Sequence, residues 1–393
     1  MLHLLIVSFV VSAITGWLVV RWQDVHAHLS GDRAVSSDHK IHKGIIPRIG
    51  GLVVITGWTT GMILAIYYEK FTLDTGLFWA LCLTPVFVAG LFEDFTKSVS
   101  PVQRLVFSFI TALMAINLLD ANLVRVDVPI VDALFLSFPI IAIAFTVVAV
   151  GGIAHAINIV DGLNGLAAGV CFLAYAALGY VSFSVGDHYL LALSTIGIGS
   201  LMGFYIWNYP SGQLFCGDGG AYFLGCYIAI LSVLLVARNP EVSAWFPLLL
   251  ILYPIWETLF SAYRRRIHRG QKSTVADKLH LHTLLYKRLH CGSQPATRGA
   301  RRSRRNSDVS VHLIMLAGST VIPAVLFWNN TLWLLISAAT FVLVYLSLYR
   351  TLVRFKLHYF VRQPAASVKK NCELPCMSVK TKLEESVNPS NAP

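Results

Sequence analysis

Eleven long apolar segments divide this chain, and they constrain its fold more than any other feature. A helix that crosses a bilayer needs roughly 17 to 25 predominantly apolar residues. Hydrophobic residues make up 56% of the 393 residues and charged residues only 13%, which is too apolar for an ordinary soluble domain. The sequence predicts an all-α, polytopic integral membrane protein with about eleven transmembrane helices. The expected spans are 2–20, 49–67, 76–92, 104–120, 134–153, 165–185, 189–207, 219–237, 245–263, 311–328 and 331–349.

The basic residues predict how these spans are oriented. If the N-terminus is outside, the loops on the cytoplasmic side and the C-terminal tail hold 28 of the 31 Lys and Arg residues. Cytoplasmic loops of membrane proteins carry such an excess. We therefore expect an outside N-terminus and a cytoplasmic C-terminus, and the net charge of +11 needs no nucleic-acid partner. Residues 1–350 form the expected transmembrane domain, and the polar residues 351–393 form a largely disordered cytoplasmic tail.

The first cytoplasmic loop carries a basic segment directly before the second span. Lys43 and Arg48 flank a proline, and Gly50 and Gly51 follow at the start of a predicted helix. Two cations and a backbone that a ligand can approach closely suit a phosphate. A positive-inside flank with a turn explains the same residues, and the segment taken alone favours that interpretation.

Paired acids follow the third span. Glu93 and Asp94 lie at a predicted helix C-terminus, where the helix dipole opposes an exposed carboxylate by about 0.3 to 1 kcal/mol. Local helix energetics therefore does not explain them. Adjacent acids at a bilayer face suit metal binding or proton abstraction, and a solvated loop pair is the alternative.

Two further loops combine polar residues with glycines. Asn158, Asp161 and Asn164 lie between spans five and six, in a segment that is equally consistent with a turn and with a loop that binds a base or a ribose. Asp218 opens span eight, either as an N-cap or beside backbone N–H groups that could hold a metal-bound diphosphate. Phe215 lies just before it, as a stacking surface for a base or as an interfacial anchor.

The last large loop contains His280 and His282, which are close enough in sequence to share an electropositive pocket. A surface pair is the commoner explanation of such residues, and no third and fourth ligand stand at zinc-site spacing. Within span nine, Pro254 should kink the helix and open a groove for a lipid chain. Glu257 is an intramembrane acid whose partner the sequence does not reveal.

In this order and on one predicted face, the five loops resemble the polyprenyl-phosphate N-acetylhexosamine-1-phosphate transferases (glycosyltransferase family 4) over about residues 1–350. The resemblance is strongest for the bacterial undecaprenyl-phosphate GlcNAc-1-phosphate transferases that start O-antigen or related surface glycans. Glu93 stands where the family usually has Asp. Thr283 stands where another His is often found, which weakens a likeness to the phospho-N-acetylmuramoyl-pentapeptide transferase branch.

This resemblance implies a reaction and a site. The reaction is transfer of N-acetylhexosamine 1-phosphate from a UDP-sugar to a polyprenyl phosphate, with release of UMP and with Mg²⁺ or alternatively Mn²⁺ as cofactor. The implied catalytic residues are Asp94, Glu93, Asp161, His280 and His282. The implied substrate-binding residues are Lys43, Arg48, Asn158, Asn164 and Phe215, and the implied metal ligand is Asp218.

The expected partners are a UDP-N-acetyl sugar such as UDP-GlcNAc, undecaprenyl phosphate and membrane lipids, and the location is a bacterial inner membrane with the active site in the cytoplasm. Whether the chain dimerises stays open, as does whether Asp94 is a base or positions a phosphate. We expect direct displacement by the lipid phosphate. The rival from another class is a secondary transporter, but transporters place their sites near the bilayer midplane, whereas these acids cluster at one face.

Overall fold

The structure is a computed structural model that describes residues 1–25, 31–32, 46–269, 280–289 and 299–354. It is a helical bundle with one antiparallel strand pair, β1 (Gly31–Asp32) and β2 (Ile46–Pro47), in which Gly31 pairs with Pro47. The helices are α1 (Leu2–Arg21), α2 (Gly50–Tyr67), α3 (Leu73–Thr96), α4 (Pro101–Leu119), α5 (Pro129–Ser137), α6 (Pro139–Val160), α7 (Leu166–Ser184), α8 (His188–Asn208), α9 (Gly217–Arg238), α10 (Trp245–Leu250), α11 (Leu252–Arg269), α12 (Leu281–Leu289), α13 (Gly299–Leu326) and α14 (Thr331–Val353). Lys43 and residues 355–393 of the expected tail lie outside the described residues.

Ten helices in the described part of the chain are long and apolar enough to cross a membrane. They are α1, α2, α3, α4, α6, α7, α8, α9, the part of α13 from Asn306, and α14. Each corresponds to one of the predicted spans, with ends that differ by a few residues. The prediction of an all-α polytopic membrane protein is therefore confirmed.

The remaining predicted span, 245–263, is divided into the two helices α10 and α11. Ile251 separates them, shortly before Pro254. Proline has no N–H to donate to the carbonyl group four residues earlier, and its ring crowds that carbonyl group. The expected kink near Pro254 is present as a break between two helices. After the break, α11 continues to Arg269.

The fifth predicted span begins later than expected. The prediction of 134–153 starts inside α5, a separate short helix that ends at Ser137. Phe138 then interrupts the helix, with φ −135° and ψ 82°, and Pro139 begins α6. The residue before a proline is disfavoured in the helical region because the proline ring clashes with it. Hydrophobicity continues through this break, so hydropathy alone does not locate it.

Helix α9 forms the centre of the bundle. Every residue from Gly217 to Val236 is buried. The helix packs against α2, α3, α6 and α7. A helix that is apolar on all sides is suited to such a position. Its start therefore lies among the ends of the surrounding helices and not at the edge of the molecule.

Close glycine contacts bring these helix ends together. A Cβ atom on Gly51 in α2 would lie 2.5 Å from the backbone nitrogen of Gly220. A Cβ atom on Gly90 in α3 would lie 2.6 Å from Cα of Gly219. Larger side chains would push the helices apart, whereas small residues let them approach. We call this part of the bundle the site end, and it comprises residues 46–51, 93–104, 158–165, 208–220 and 280–289. The opposite part, the far end, comprises residues 67–73, 119–128, 184–188 and 238–244.

Candidate active site

Backbone hydrogen bonds join the first loop to the segment before α9. The N–H of Phe215 donates to the carbonyl oxygen of Pro47 at 3.0 Å, and the N–H of Gly50 donates back to Phe215 at 2.9 Å. The N–H of Gly51 donates to Cys216 at 2.9 Å. These bonds hold Arg48 beside the start of α9, so two motifs far apart in sequence form one surface.

Asp94 binds the N-terminus of α9. Its carboxylate is 1% exposed and accepts hydrogen bonds from the N–H groups of Asp218 at 2.8 Å and Gly219 at 2.9 Å. The positive end of a helix dipole stabilises a carboxylate in this position. The N–H groups that were expected to face a diphosphate are therefore occupied by Asp94. This burial favours the positioning role for Asp94 over the role of a base.

Gly217 makes this arrangement possible. Its φ of +73° is a left-handed conformation that residues with a Cβ atom rarely adopt. A Cβ atom here would also overlap the carbonyl oxygen of Arg48 and lie 2.5 Å from Oδ2 of Asp94. Only glycine lets α9 begin directly on the Asp94 carboxylate.

Asp218 faces two guanidinium groups. Arg104 Nη1 forms an ion pair with Oδ2 of Asp218, and Arg48 Nη2 lies 3.9 Å from the same oxygen. Arg48 also lies 4.0 Å from Asp94, so it is between both acids. The guanidinium group of Arg104 is 5.7 Å from the ring centre of Tyr222. Its buried Nε has no hydrogen-bond partner among the described residues. The site end thus holds donors that a phosphate oxygen could satisfy.

The loop after α3 explains where Arg104 lies and what Glu93 does. Oε2 of Glu93 accepts a 2.7 Å hydrogen bond from the N–H of Val99. Ser100 and Gln103 then form a capping box that starts α4, with Arg104 in its first turn. Glu93 was expected to be catalytic. The structure directs one of its carboxylate oxygens into the loop that precedes the helix carrying Arg104, a residue that the sequence did not select for the site. The catalytic role of Glu93 stays a prediction.

Asp161 lies in the linker between α6 and α7, close enough to Arg48 and Asp218 for their charges to act on it. Burial raises the pKa of Asp161 to about 7; Arg48 opposes this rise and Asp218 adds to it. An acid that titrates near neutral pH suits proton transfer or a role that depends on a bound cation. Of the three residues predicted in this linker, Asp161 is the one that the structure brings close to Arg48 and Asp218.

Asn164 has a different environment. It is 2% exposed, its N–H donates to Oδ1 of Asn306 at 2.9 Å, and its side chain lies against Gly212. Asn208 joins the same linker by accepting from the N–H of Gly165 at 2.6 Å. Asn164 therefore ties loops together, and its burial leaves little surface for the expected contact with a nucleotide. Asn158 is partly buried at the end of α6, where its carbonyl oxygen accepts from the N–H of Asp161 at 3.3 Å.

The two predicted histidines lie together against the Asp161 linker. The rings of His280 and His282 are stacked, with centres 5.3 Å apart and an angle of 4° between their planes. A Cβ atom on Gly162 would lie 2.7 Å from Nε2 of His282, so glycine is needed for this approach. The structure also supplies the missing partner of Glu257, whose Oε1 is 3.0 Å from Nδ1 of His280.

His155 is a second residue that the sequence did not select. Its Nδ1 lies 2.9 Å from the hydroxyl group of Tyr222. The charges of Arg104, Arg265 and Asp218 act on its ring. A histidine within the last two turns of an apolar helix is unusual, and this could have marked His155 as a candidate site residue. However, His155 has no fixed sequence spacing to any of the other motifs. Tertiary packing alone places it beside the acids.

The chain is similar in sequence to known proteins. Residues 77–236 match the family described as glycosyl transferase family 4. A probable undecaprenyl-phosphate N-acetylglucosaminyl 1-phosphate transferase of Bacillus subtilis (strain 168) is 29% identical over 333 residues, which are 84% of this chain and 87% of that protein. Phospho-N-acetylmuramoyl-pentapeptide-transferases of Lactobacillus helveticus (strain DPC 4571) and Caulobacter sp. (strain K31) are each 24% identical, over 54% and 58% of this chain and 68% and 70% of theirs.

The chain is similar to glycosyl transferase family 4 over residues 77–236, and its similarity to the Bacillus subtilis protein extends over most of its length. The segment that matches the family runs from α3 to α9, and it contains Asp94, Arg104, Asp161 and Asp218. Arg48 and the two histidines lie outside that segment, yet the fold carries them to the same end of the bundle. The residues within the matched segment and those outside it therefore lie together at the site end.

Mg²⁺, which the similarity to this family implies, is chemically compatible with the residues at the site end. No group of three or more His, Cys, Asp or Glu side chains in the described ranges could hold a metal ion. Mg²⁺ usually takes one or two carboxylates together with substrate phosphates and water, so it needs no such group. The nearly buried carboxylate of Asp218 is the side chain that would hold it. Arg48 and Arg104 would then be free to contact the phosphates.

Proposed function

We propose that the protein transfers N-acetylhexosamine 1-phosphate from a UDP-sugar, UDP-GlcNAc or a related UDP-N-acetyl sugar, to undecaprenyl phosphate and releases UMP, as the first membrane step of a surface glycan. The main support is the convergence of Asp94, Asp161 and Asp218 with Arg48 and Arg104 at one end of the bundle. The similarity to the Bacillus subtilis protein supports the same sugar and lipid carrier.

The reaction brings two anions together, so repulsion between phosphates is the main barrier. A phosphate oxygen of the lipid attacks the β-phosphorus of the UDP-sugar, and the bond to the UMP oxygen breaks as UMP takes the electron pair. Arg48 and Arg104 lie where they can bind the negative oxygens as charge shifts to the leaving group. Mg²⁺ held by Asp218 would supply further positive charge. Because a phosphate monoester is mostly dianionic at neutral pH, a strong general base is unnecessary.

The remaining residues of the site bind and orient the substrates. Phe215 is partly exposed beside the first loop, where its ring can stack on uracil. Asp161 would contact the nucleotide or its metal, and His280 and His282 would contact the phosphates and the sugar. Asp94 would act through α9, since it fixes the backbone that carries Asp218.

The direct test is an assay with purified protein, UDP-GlcNAc or UDP-N-acetylmuramoyl-pentapeptide, undecaprenyl phosphate and Mg²⁺. We expect UMP and a lipid-linked sugar with UDP-GlcNAc or another simple UDP-N-acetyl sugar. Turnover of the muramoyl-pentapeptide nucleotide alone would support the alternative function, phospho-N-acetylmuramoyl-pentapeptide transfer. Exchange of labelled UMP into UDP-sugar should require the lipid phosphate or the lipid-linked product; exchange in lipid-free protein would contradict direct displacement. Substrate passage into vesicles without UMP release would support a transporter instead.

The proposal also places the site end in the cytoplasm of a bacterium, with the far end outside. In a cysteine-free background, Cys replacing Glu241 at the far end should react with an impermeant thiol reagent in intact cells. Cys replacing Ser98 at the site end should react only after the membrane is opened. The reverse pattern would overturn this orientation.

A further inference from the structure

Glu257 is a buried acid that the proposed mechanism does not yet use. It lies in α11 and is 1% exposed. Oε1 accepts hydrogen bonds from Nδ1–H of His280 at 3.0 Å and from the N–H of Leu281 at 2.9 Å. Oε2 accepts a 2.5 Å hydrogen bond from the hydroxyl group of Tyr345 in α14. A carboxylate in such a place is expensive to bury unless its oxygens are bonded, and here both are.

Two of these three bonds hold the same short segment. Leu281 follows His280 directly, so Glu257 fixes both the imidazole ring and the backbone that carries it. The ring of His280 in turn stacks on His282, and His282 lies against Gly162 beside Asp161. A continuous series of contacts therefore runs from the carboxylate of Glu257 to the charged group at the site end.

A histidine whose Nδ1–H donates to a carboxylate has a defined tautomer and a fixed ring plane. Its other nitrogen, Nε2, is then the atom that can meet a ligand. The same relation between carboxylate and histidine orients metal-binding and catalytic imidazoles in general.

Simple tethering of helices does not account for Glu257. Arg264 already joins α11 to α14 through the hydroxyl group of Tyr349. Arg288 joins α12 to α14 by donating to the carbonyl oxygen of Leu352 at 3.1 Å. An apolar residue at 257 would pack in this interior without the cost of desolvating a charge. What an apolar residue could not do is hold the Nδ1 atom of His280.

We propose that Glu257 is a positioning residue that fixes the ring of His280 so that Nε2 faces the phosphates or the sugar of the UDP-sugar. This inference rests on the proposed function for the identity of the ligand. The contacts that carry it, from Glu257 to His280 and Leu281, do not depend on that identity.

The test is a double-mutant cycle on the full-length protein with Glu257→Leu and His280→Ala. Removing a residue that orients a functional histidine typically lowers activity by about 10- to 100-fold, and we expect such a fall in kcat/KM for Glu257→Leu. Because Glu257 acts through His280, the double variant should be no slower than His280→Ala alone. Two losses that multiply in the double variant would overturn the proposal, since contributions that act separately are additive in free energy.

Tyr345→Phe is the matched control, because it removes one buried hydrogen bond from Glu257 and leaves the bond to His280. It should keep most of the wild-type kcat/KM even if its Tm falls. Glu257→Gln, which keeps an acceptor for Nδ1–H and for Leu281, should recover part of the activity lost in Glu257→Leu. Equal loss of activity in Tyr345→Phe and Glu257→Leu, in proportion to Tm, would reduce Glu257 to a structural residue and overturn the proposal.

A readout without substrate separates this inference from the proposed function. Diethyl pyrocarbonate modifies free imidazole nitrogens, and the modified residue can be identified by mass spectrometry. In Glu257→Leu, Nδ1 of His280 loses its carboxylate partner and can also be modified, so His280 should react faster than in the wild type, with Tyr345→Phe close to the wild type. This result would stand even if the wild type released no UMP, whereas an unchanged rate would refute the positioning role.

Discussion

The two ends of the bundle use acidic side chains in different ways. At the far end, Asp127 accepts hydrogen bonds from the N–H of Ala244 at 2.7 Å and the hydroxyl group of Ser243 at 3.0 Å. Its other oxygen pairs with Arg125, which also donates to Val242 at 2.8 Å. Asp187 likewise caps α8 at Leu190 and pairs with Arg238 at 2.8 Å. These acids and cations hold the far-end loops to one another.

At the site end, Asp94 and Glu93 are used in this structural way, since both accept hydrogen bonds from backbone N–H groups. Asp218 is shared by Arg48 and Arg104, and burial raises the pKa of Asp161 to about 7. Arg104 retains a buried donor without a partner among the described residues. Ion pairs to buried or partly buried acids occur at both ends, so an ion pair alone does not mark the site. The difference is that, in the described part of the chain, the side chains of Asp218, Arg48 and Arg104 at the site end pair with one another and not with the backbone of the surrounding loops.

Asp218→Asn should produce the largest effect. Removing the charge from the proposed metal ligand should lower UMP release by more than about 100-fold, as for other groups that stabilise transition-state charge. Additional Mg²⁺ should not restore it, and Tm should change little. Asp187→Asn is the far-end counterpart, and it should lower Tm while UMP release persists. Wild-type turnover in purified Asp218→Asn would remove the contrast between the two ends.

Arg104→Ala should have the second-largest effect on turnover. It removes the ion pair with Asp218 and a donor available to phosphate, so we expect kcat to fall by about 100-fold. Arg104→Lys keeps the charge but loses the planar fork and should recover only part of the loss. Arg238→Ala at the far end removes a comparable pair with Asp187 and should leave kcat within a few-fold. Similar losses in both alanine variants would show that Arg104 is structural.

Phe215→Ala should weaken the binding of UDP-sugar and UMP to the same extent. Stacking of a base on an aromatic ring contributes roughly 1 to 3 kcal/mol by alanine substitution in single-strand binding proteins. The KM for undecaprenyl phosphate should change little. An unchanged UMP inhibition constant together with weaker lipid binding would instead assign Phe215 to the acceptor.

Asp161→Asn should give the smallest of these effects, and the quantity to measure is Tm. We expect this substitution at the site end to raise Tm, whereas substitution of an acid at the far end should not. The folded state raises the pKa of Asp161 from 3.8 to about 7 and so favours the protonated form. Wild-type stability should therefore fall as pH rises between these values, and the penalty should persist above pH 7. Asn cannot ionise, so the variant should have the higher Tm at pH 8, and the difference should shrink at pH 5.

Asp132→Asn, in the short helix that follows the far-end residues 119–128, is the control for this prediction. Asp132 accepts a 2.7 Å hydrogen bond from the N–H of Val126, so replacing it should not raise Tm at pH 8. A gain in both variants would mean that the effect reflects net charge and not the surroundings of Asp161.

Several features followed from local sequence. Ten spans were found where hydropathy predicted them, because a helix in lipid must be apolar along its whole length. The break in the helix near Pro254 and the order of the five polar loops were also predicted from the sequence. The break at Phe138 was missed because the apolar residues continue through it. Every predicted site residue except Lys43 lies at the site end, and Lys43 lies outside the described residues.

What the sequence by itself determined was therefore the number, type and approximate limits of the helices, and the set of chemical groups at their ends. Only the tertiary structure decided how those groups pair. Asp94 binds the start of α9, Glu93 closes its own loop, Arg104 reaches Asp218, and Glu257 holds His280. Each of these contacts but that of Glu93 joins residues far apart in the chain, and each depends on the angle at which two helices approach. Hydrophobicity is summed along a segment, so sequence reveals it. A hydrogen bond depends on a few tenths of an ångström between segments, and close packing of glycines sets that distance around the start of α9.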